Sequence, residues 1–247
     1  MNGGIIMKFL FDVDGTLTPS RGRINEDFRL FMVDFCERHD CYIVTGSDQQ
    51  KTIEQLGGYL YDRFKKQFQC NGNQVFENSV TPEYELEWTL PTQCKEWMEE
   101  KVLKSNFAFK TGNHIEERVG MANFSVVGRN ANQTHRTSYV IWDTERDERL
   151  LLAREFNEKF AELGVQAQVG GETGLDVTPI GKDKSQVLEW FDEDVYFFGD
   201  ACYEGGNDYP LASAIIEKAQ GSVYNVDTWK ETWEKLKEID FALSSIC

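Results

Sequence analysis

The chain has 247 residues, of which 40% are hydrophobic and 13% aromatic, so it can bury the core of one large domain or two smaller ones and is unlike a disordered chain. Its formal net charge of −16 repels nucleic-acid backbones, which makes DNA and RNA poor candidate partners. No segment approaches transmembrane length, so a membrane-spanning protein is not expected.

The beginning of the chain predicts alternating strands and helices. Residues 5–11 form an apolar run broken only by Lys8, as expected of a buried central strand, and 41–44 form a second short strand. Helices are predicted over 26–38, where apolar residues recur on one face, and over 49–60. This β-α-β-α order is typical of a parallel sheet.

The middle of the chain predicts a separate α+β module, because its strands and helices do not alternate simply. Its helical patterns lie at 92–103 and 146–163, and its strand patterns lie at 120–128, 138–142 and 166–169.

The first pattern returns towards the end, with helices at 184–191 and 228–239 and strands at 194–198 and 222–226. The simplest interpretation is a parallel-sheet core domain, residues 1–81 and 182–247, interrupted by an inserted cap domain, residues 82–181.

Six cysteines are scattered through the sequence without CxxC spacing or a nearby histidine cluster, which favours reduced thiols in a cytoplasmic protein over a zinc site or a disulfide scaffold. They are Cys36, Cys41, Cys70, Cys94, Cys202 and Cys247.

The strongest motif, Asp12-Val13-Asp14-Gly15-Thr16, directly follows the first predicted strand. Residues two apart in an extended chain point to one side, so Asp12 and Asp14 can face one reaction centre at the sheet's carboxyl end. Two carboxylates this close are costly unless a cation neutralises them, and magnesium prefers oxygen ligands. The motif predicts Asp12 as a nucleophile and Asp14 as a general acid/base, with an Asp-Gly turn as the alternative.

Two further residues can contact a phosphate. Thr45 ends the second strand, where its hydroxyl can hydrogen-bond a phosphoryl oxygen; the alternative is a helix N-cap by Ser47 or Asp48. Lys184 can neutralise the transferred phosphate, although most lysines are only solvated.

A second group of acidic residues follows the strand at 194–198. Asp200 comes directly after it and is the natural third oxygen ligand for magnesium. Asn207 and Asp208 follow in a glycine-rich loop and can act directly or through water, the alternative being an acidic surface loop.

These elements, in this order, resemble the haloacid dehalogenase superfamily. The resemblance implies a Rossmann-like parallel-sheet core with an inserted α+β cap, and an aspartyl-phosphate mechanism in which Asp12 attacks phosphorus and Asp14 protonates the leaving oxygen. It also implies that magnesium binds the Asp12 carboxylate, the Asp14 backbone carbonyl and Asp200.

The predicted cap carries clustered arginines. Arg118, Arg129 and Arg136 lie close together in sequence, and residues 121–127 alternate so that Asn123 falls on a polar face shared with Arg129. Guanidinium groups on that face can bind a phosphate bidentately; an ordinary charged surface with compensating acids is the alternative.

The cap sharpens the resemblance to the eukaryotic-type phosphomannomutases. That family implies substrate contacts from Arg21, the three cap arginines, Asn123, position 174 and Asp176. Gly174 stands where the family usually has serine, and Thr45 stands where mutases tend to have glycine. The matching segments are DVDGTLTPSR (12–21), RVGMAN (118–123), GR (128–129) with Arg136, GG (170–171), DV (176–177), and GD (199–200) with GGND (205–208).

The resemblance implies interconversion of mannose 6-phosphate and mannose 1-phosphate for nucleotide-mannose supply, with magnesium and a hexose 1,6-bisphosphate activator. It also implies a cytoplasmic enzyme that pairs with a second copy through the cap. Two alternatives stay open: a sugar-phosphate phosphatase of the same superfamily, and a non-catalytic protein that uses the cap as a partner surface.

Overall fold

The structure is a computed structural model that describes residues 7–77 and 80–244. Ile5 and Ile6 of the predicted first strand, and the predicted thiol of Cys247, lie outside the described residues. No helix in the described part of the chain is both long and apolar enough to cross a membrane. The other cysteines are free thiols: Cys36, Cys41, Cys70, Cys94 and Cys202.

The strands are β1 (Lys8–Phe11), β2 (Asp40–Val44), β3 (Lys66–Gln69), β4 (Gln74–Phe76), β5 (Tyr84–Glu85), β6 (Ile115–Arg118), β7 (Met121–Phe124), β8 (Val165–Gly170), β9 (Gly174–Pro179), β10 (Val195–Gly199) and β11 (Gly221–Asn225). The α-helices are α1 (Glu26–Arg38), α2 (Gln49–Leu56), α3 (Gly58–Tyr61), α4 (Thr92–Lys104), α5 (Gln133–Arg146), α6 (Glu148–Phe160), α7 (Tyr209–Lys218) and α8 (Trp229–Ser244), and 3-10 turns lie at Cys70–Gly72, Ala161–Leu163 and Lys184–Trp190.

The larger sheet has the strand order β11-β10-β1-β2-β3-β4-β5. Its strands from β11 to β3 are parallel, and β4 and β5 continue the sheet antiparallel. The residues of β1 alternate between two buried faces: Phe9 and Phe11 pack towards α1 and α8, whereas Leu10 packs towards α7 and the 3-10 turn at Lys184–Trp190. The predicted Rossmann-like parallel-sheet core is confirmed.

The smaller sheet has the order β6-β7-β9-β8 and is antiparallel throughout. Ala122 and Phe124 lie in one apolar cluster with Phe156 of α6 and with residues of α4 and α5. Asn123 and Asp176, which alternate with these apolar residues, are register partners on β7 and β9. This second layer agrees with the predicted α+β cap.

The division between core and cap at 81/82 and 181/182 stays a prediction. Strand β5 lies inside the range predicted for the cap, yet it pairs with β4 at the edge of the core sheet. The other cap strands, from β6 to β9, have no strand pairing with the larger sheet in the described residues.

Three predictions of local structure are wrong. The strand predicted at 138–142 lies within α5, whose buried residues Tyr139 and Asp143 are four apart, the spacing of a helix face. The helix predicted at 49–60 is interrupted at Gly57, whose φ of +79° lies in the left-handed region. The helix predicted from 146 begins at Glu148, because Asp147 has a φ of +53° and ends α5.

The remaining predicted helices and strands overlap elements of the structure with ends that differ by a few residues; the strand predicted at 120–128 ends at Phe124. Helix α1 matches the predicted range because Asn25 caps it, accepting hydrogen bonds from the backbone of Asp27 and Phe28. The elements that the sequence analysis did not identify are β3, β4, β5, β6, β9 and α7.

The cap is attached to the core partly through Asn73, which is fully buried after the 3-10 turn at Cys70–Gly72. Its side-chain amide donates to the backbone carbonyls of Gly120 in the cap and Lys182 at the return to the core, both at 3.1 Å. Its carbonyl oxygen accepts from Gln186 at 3.0 Å. One side chain therefore binds the turn between β6 and β7 of the cap and the return of the chain to the core.

We expect Asn73→Ala to lower the free energy of unfolding by about 1–3 kcal/mol, because it leaves two buried carbonyls and the Gln186 amide without this partner. Urea denaturation followed by circular dichroism measures the change. The neighbouring Gln74→Ala is the control, since the Gln74 side chain donates to the exposed Glu85 side chain, and we expect a change of less than about 0.5 kcal/mol. Equal losses in the two variants would contradict the role of Asn73.

Candidate active site

Three neighbouring parallel strands deliver polar residues to one edge of the core sheet. Asp12, Thr45 and Asp200 directly follow β1, β2 and β10, which lie side by side in the sheet. The backbone of Asp12 continues the pairing by donating to the Phe198 carbonyl at 2.9 Å. Because parallel strands share their carboxyl edge, these side chains meet although they are far apart in sequence.

Lys184 is fully buried between two carboxylates. Its ammonium nitrogen lies 2.6 Å from Asp12 and 2.7 Å from Asp208. Burial alone would lower the pKa of Lys184, but the two carboxylates raise it above its usual value, so the lysine carries its charge. The other oxygen of Asp208 accepts from the Ala201 backbone at 3.0 Å. A solvated lysine, the alternative weighed from the sequence, does not describe this position.

Carboxylate oxygens of Asp12, Asp200 and Asp208 all lie within 4.8 Å of one another. Burial raises the pKa of Asp12, Lys184 lowers it, and Asp208 and Asp14 raise it, giving a value of about 7. Burial and then the neighbouring Asp12 and Asp208 raise the pKa of Asp200 well above its usual range. One lysine does not offset three carboxylates, and the donors are all oxygen, so the residues fit a hard divalent cation such as Mg²⁺.

Gly15 allows the turn after β1 to approach Asp200. Its φ is +86°, and a Cβ at this position would lie 2.1 Å from a carboxylate oxygen of Asp200. Any larger residue would therefore push Asp200 away from Asp12.

Asp14 lies beside the acidic cluster and is bound mainly to helix α2. Its carboxylate contacts the Lys51 ammonium at 2.9 Å and accepts from Gln55 at 3.0 Å and from the Arg21 backbone at 2.5 Å. Burial would raise the pKa of Asp14, but Lys51 and these hydrogen bonds outweigh it and lower the pKa to about 2. Asp14 is therefore ionised and can accept a proton.

Thr45 is buried, and its hydroxyl oxygen accepts from the Ser47 backbone at 3.1 Å. That contact leaves the hydroxyl hydrogen available to a ligand. The N-cap of α2 is Asp48, which accepts from the Lys51 backbone at 2.8 Å. Asp48 therefore fills the capping role, and phosphate binding by Thr45 stays a prediction.

The cap arginines face this edge and are held by acidic and carbonyl groups. Arg118 donates to the Gly46 carbonyl of the core and pairs with Glu116 at 3.0 Å. Arg129 pairs with the same Glu116 and donates to the Asn123 side chain at 2.8 Å. Arg136 donates to Thr173 at 3.0 Å and pairs with Glu172 at 3.1 Å. The arginines therefore have partners that a bound phosphate can replace.

Asp176 joins the cap to the core. One carboxylate oxygen accepts from Asn123 of the cap at 2.9 Å, and the other accepts from Asn207 of the core at 2.9 Å. Asn71 of the core lies 3.5 Å from the second oxygen. The amide nitrogen of Asn207 donates to Asp176. A role of Asn207 near the metal stays a prediction, and it would use the side-chain oxygen of Asn207.

Gly174 packs directly against Asn123. A Cβ at Gly174 would lie 2.8 Å from the amide nitrogen of Asn123, which is closer than a Cβ normally approaches another heavy atom. The absence of a side chain here gives Asn123 the space to reach Asp176 and Arg129.

The core and cap residues line one cavity, whose water-accessible volume is about 50 Å³. Of the residues predicted from the sequence, only Lys184 and Asp208 lie behind this lining, where they support Asp12. The predicted residues that line it are Asp12, Asp14, Arg21, Thr45, Arg118, Asn123, Arg129, Arg136, Gly174, Asp176, Asp200 and Asn207.

The sequence analysis missed Lys51, Gln55, Asn71 and Glu116. Lys51 and Gln55 are four residues apart on α2, so they share a face, and that spacing is the one signal by which they could have been found. Asn71 sits in a 3-10 turn with a left-handed φ of 61°, which no local pattern indicated.

The sequence of residues 28–242 matches a family model described as eukaryotic phosphomannomutase. Phosphomannomutase 1 of Dictyostelium discoideum is 36% identical over 221 residues, which cover 83% of this chain and 86% of that protein. The phosphomannomutase of Saccharomyces cerevisiae is 34% identical over 221 residues, which cover 82% and 83% of the two chains.

Solved structures of similar fold include an IMP-nucleotidase of Plasmodium falciparum, with a TM-score of 0.63 and 17% identity over 96% of this chain and 67% of that one. Another is a phosphatase of the haloalkanoate (HAD) enzyme superfamily from Bacteroides thetaiotaomicron, with a TM-score of 0.54 and 16% identity over 98% of this chain and 97% of that one. At such identities the similarity shows the fold alone.

We expect Lys51→Gln to raise the pKa of Asp14 from about 2 to a value roughly 1–3 pH units higher, because the cation 2.9 Å from the carboxylate is lost. The midpoint of the Asp14 carboxyl carbon resonance, followed by NMR in protein labelled at aspartate, measures the shift. Lys51→Arg keeps the charge and is the control, with a midpoint close to that of the unsubstituted protein. An unchanged midpoint in Lys51→Gln would assign the low pKa to the hydrogen bonds alone.

Proposed function

Since the chain belongs to the eukaryotic phosphomannomutase family, we propose that it interconverts mannose 6-phosphate and mannose 1-phosphate by passing a phosphoryl group through Asp12. The observation that carries the proposal is one cavity with Asp12 and Asp200 on one wall, Lys184 bound to Asp12 behind it, and three cap arginines on the other wall. A mutase needs two phosphate sites that face each other, since the bisphosphate formed in mid-reaction must bind in either direction.

In the core half of the site, Lys184 holds one oxygen of Asp12 at 2.6 Å, which leaves the other oxygen to attack phosphorus. The aspartyl phosphate forms as the bond between phosphorus and the sugar oxygen breaks. Asp14 is ionised, so it accepts the proton of the sugar hydroxyl when the phosphoryl group moves from Asp12 to the sugar, and it returns that proton in the reverse direction. Bound Mg²⁺, which Asp12, Asp200 and the Asp14 carbonyl would hold, offsets the negative charge of the carboxylates and the phosphoryl group.

In the cap half, Arg118, Arg129 and Arg136 bind the phosphate that is not being transferred, and Arg21 approaches them from the core by donating to the Arg129 carbonyl at 3.4 Å. Guanidinium groups suit this task because their paired N–H groups match phosphate oxygens. Asp176 and Asn123 supply acceptor and donor groups for sugar hydroxyls. With the cap closed, water is kept from the aspartyl phosphate, which favours transfer to sugar over hydrolysis.

We extend the proposal to a hexose 1,6-bisphosphate that phosphorylates Asp12 at the start, to pairing of two copies through the cap, and to the cytoplasm as its location, where it supplies mannose 1-phosphate for nucleotide-mannose synthesis. These points rest on the family and on the residues above.

A sugar-phosphate phosphatase is the second candidate, and one observation favours it. Thr45 places a hydroxyl in the cavity next to Asp12, at a position where it can donate to the phosphoryl group during attack by water. The opposed arginines favour the mutase, because a phosphatase has no need to bind a second phosphate.

Phosphorus NMR of mannose 1-phosphate with Mg²⁺ distinguishes the two candidates. We expect a mannose 6-phosphate resonance to grow when a catalytic amount of hexose 1,6-bisphosphate is present, and to grow far more slowly without it. Stoichiometric growth of inorganic phosphate in its place would establish the phosphatase and reject the mutase.

We expect Asp12→Asn to reduce turnover by at least about 1,000-fold, since it removes the nucleophile. Its melting temperature should equal or exceed that of the unsubstituted protein, because the ionised carboxyl is disfavoured at this position, as its pKa of about 7 indicates. Asp192→Asn, the same change at an exposed aspartate, is the control and should leave turnover unchanged. Retained turnover in Asp12→Asn would exclude the covalent intermediate.

A further inference from the structure

A second cavity lies beside the active site. It has a water-accessible volume of about 670 Å³, compared with about 50 Å³ for the inner cavity described above. It is called the outer cavity here. Arg21, Lys51 and Arg129 line both cavities, so the two spaces are adjacent and share these side chains as a common wall. The outer cavity adds Arg23 of the core and Asn130 of the cap, neither of which the mechanism above uses.

The inner cavity is too small for the bisphosphate to turn round. In the closed arrangement its water-accessible volume is about 50 Å³, so a ligand held between Asp12 and the cap arginines has little free space around it in which to rotate. The outer cavity is more than ten times larger, so it has the volume that an end-over-end rotation requires.

The outer cavity is rich in cations although the protein is acidic, with a formal net charge of −16. Its lining includes Arg21, Arg23, Lys51 and Arg129, whereas its carboxylates are those of two glutamates. A pocket that concentrates positive charge on an otherwise acidic protein attracts anions, whereas the rest of the surface repels them.

Neither glutamate neutralises Arg23. Glu116 is bound by the guanidinium groups of Arg118 and Arg129, and Glu54 accepts from Gln50 at 3.2 Å. Within residues 7–77 and 80–244, the exposed Arg23 side chain makes no hydrogen bond or ion pair. Arg23 is therefore the cation of this cavity that remains available for a ligand.

We propose that the outer cavity is an additional phosphate-binding site, separate from the two in the inner cavity, in which Arg23 holds one phosphate of the hexose bisphosphate while the sugar turns between its two orientations. The inference rests on the proposed function and adds a location for the turning step. Arg21, Lys51 and Arg129 border both spaces, so the bisphosphate stays in contact with positive charge as it moves from one to the other. The intermediate is thus retained between the two phosphoryl transfers.

The test measures how often the bisphosphate escapes. Enzyme carrying ³²P on Asp12 is mixed with mannose 1-phosphate and an excess of unlabelled hexose 1,6-bisphosphate, and the label is separated by chromatography. A retained intermediate delivers the label to mannose 6-phosphate, whereas a released one delivers it to the free bisphosphate. We expect most label in mannose 6-phosphate for the unsubstituted protein, and a ratio of bisphosphate to monophosphate label about 5- to 10-fold higher in Arg23→Gln.

Arg154→Gln is the matched control. Arg154 is also an exposed arginine whose side chain makes no hydrogen bond or ion pair in the described part of the chain, but it lies on helix α6 of the cap and lines neither cavity. It should partition label as the unsubstituted protein does. Equal partitioning in Arg23→Gln and Arg154→Gln, or release of most label by the unsubstituted protein, would overturn the proposal.

Calorimetric titration with inorganic phosphate tests the site without turnover. We expect the affinity to fall about 3- to 10-fold in Arg23→Gln and to stay unchanged in Arg154→Gln, with both variants melting at the temperature of the unsubstituted protein. If the labelling experiment yields only inorganic phosphate, the mutase assignment fails, and the titration then decides the anion site by itself. Equal phosphate affinities in the two variants would reject the site even where the mutase assay succeeds.

Discussion

The site depends on how two buried carboxylates and one half-buried carboxylate are kept together. Asp12, Asp200 and Asp208 lie within 4.8 Å of one another around the single ammonium group of Lys184. Buried like charges repel strongly, so this arrangement persists only because rigid strand ends and tight turns hold it. The sheet supplies Asp12 and Asp200 from adjacent strands, and Gly15 removes the Cβ that would separate them. Repulsion among these carboxylates favours the binding of a divalent cation, and the bound cation would in turn favour the binding of a phosphoryl group.

On the opposite wall of the cavity, positive charges lie close together: the cap arginines and Arg21 of the core are held near one another without a ligand. Burial, followed by repulsion from Arg129 and Arg136, lowers the pKa of Arg21 to about 10. The acids Glu116 and Glu172 moderate this repulsion by pairing with the arginines. A phosphate that enters must compete with these carboxylates, so its net binding energy is smaller than bare guanidinium groups would provide. Moderate affinity suits an intermediate that has to leave one orientation and adopt the other.

The sequence predicts the parts of this site that follow from strand geometry. Asp12, Thr45 and Asp200 each follow an apolar strand, and the rule that parallel strands share a carboxyl edge is enough to place them together. Lys51 and Asn71 were missed because their contacts with Asp14 and Asp176 join segments far apart in the chain. Glu116 pairs with the nearby Arg118 and Arg129, but no pattern in the sequence indicated that pairing. Residues 138–142 were assigned to a strand because branched and aromatic residues favour strands locally, whereas burial of Tyr139 and Asp143 on one face decided for a helix.

Under the proposed function, the hydrogen bonds of Asp176 offer a way for the closed cap to discriminate between sugars. In the closed arrangement its two oxygens are satisfied by Asn123 of the cap and Asn207 of the core. A sugar hydroxyl that replaces one of these amides restores the same number of hydrogen bonds, so binding gains little from the exchange itself. A sugar that cannot place a hydroxyl there leaves a buried carboxylate unsatisfied, which is costly. Under the proposed function, selectivity at this position would therefore arise from rejecting ligands that lack the hydroxyl, while the phosphates at both ends would supply the attraction.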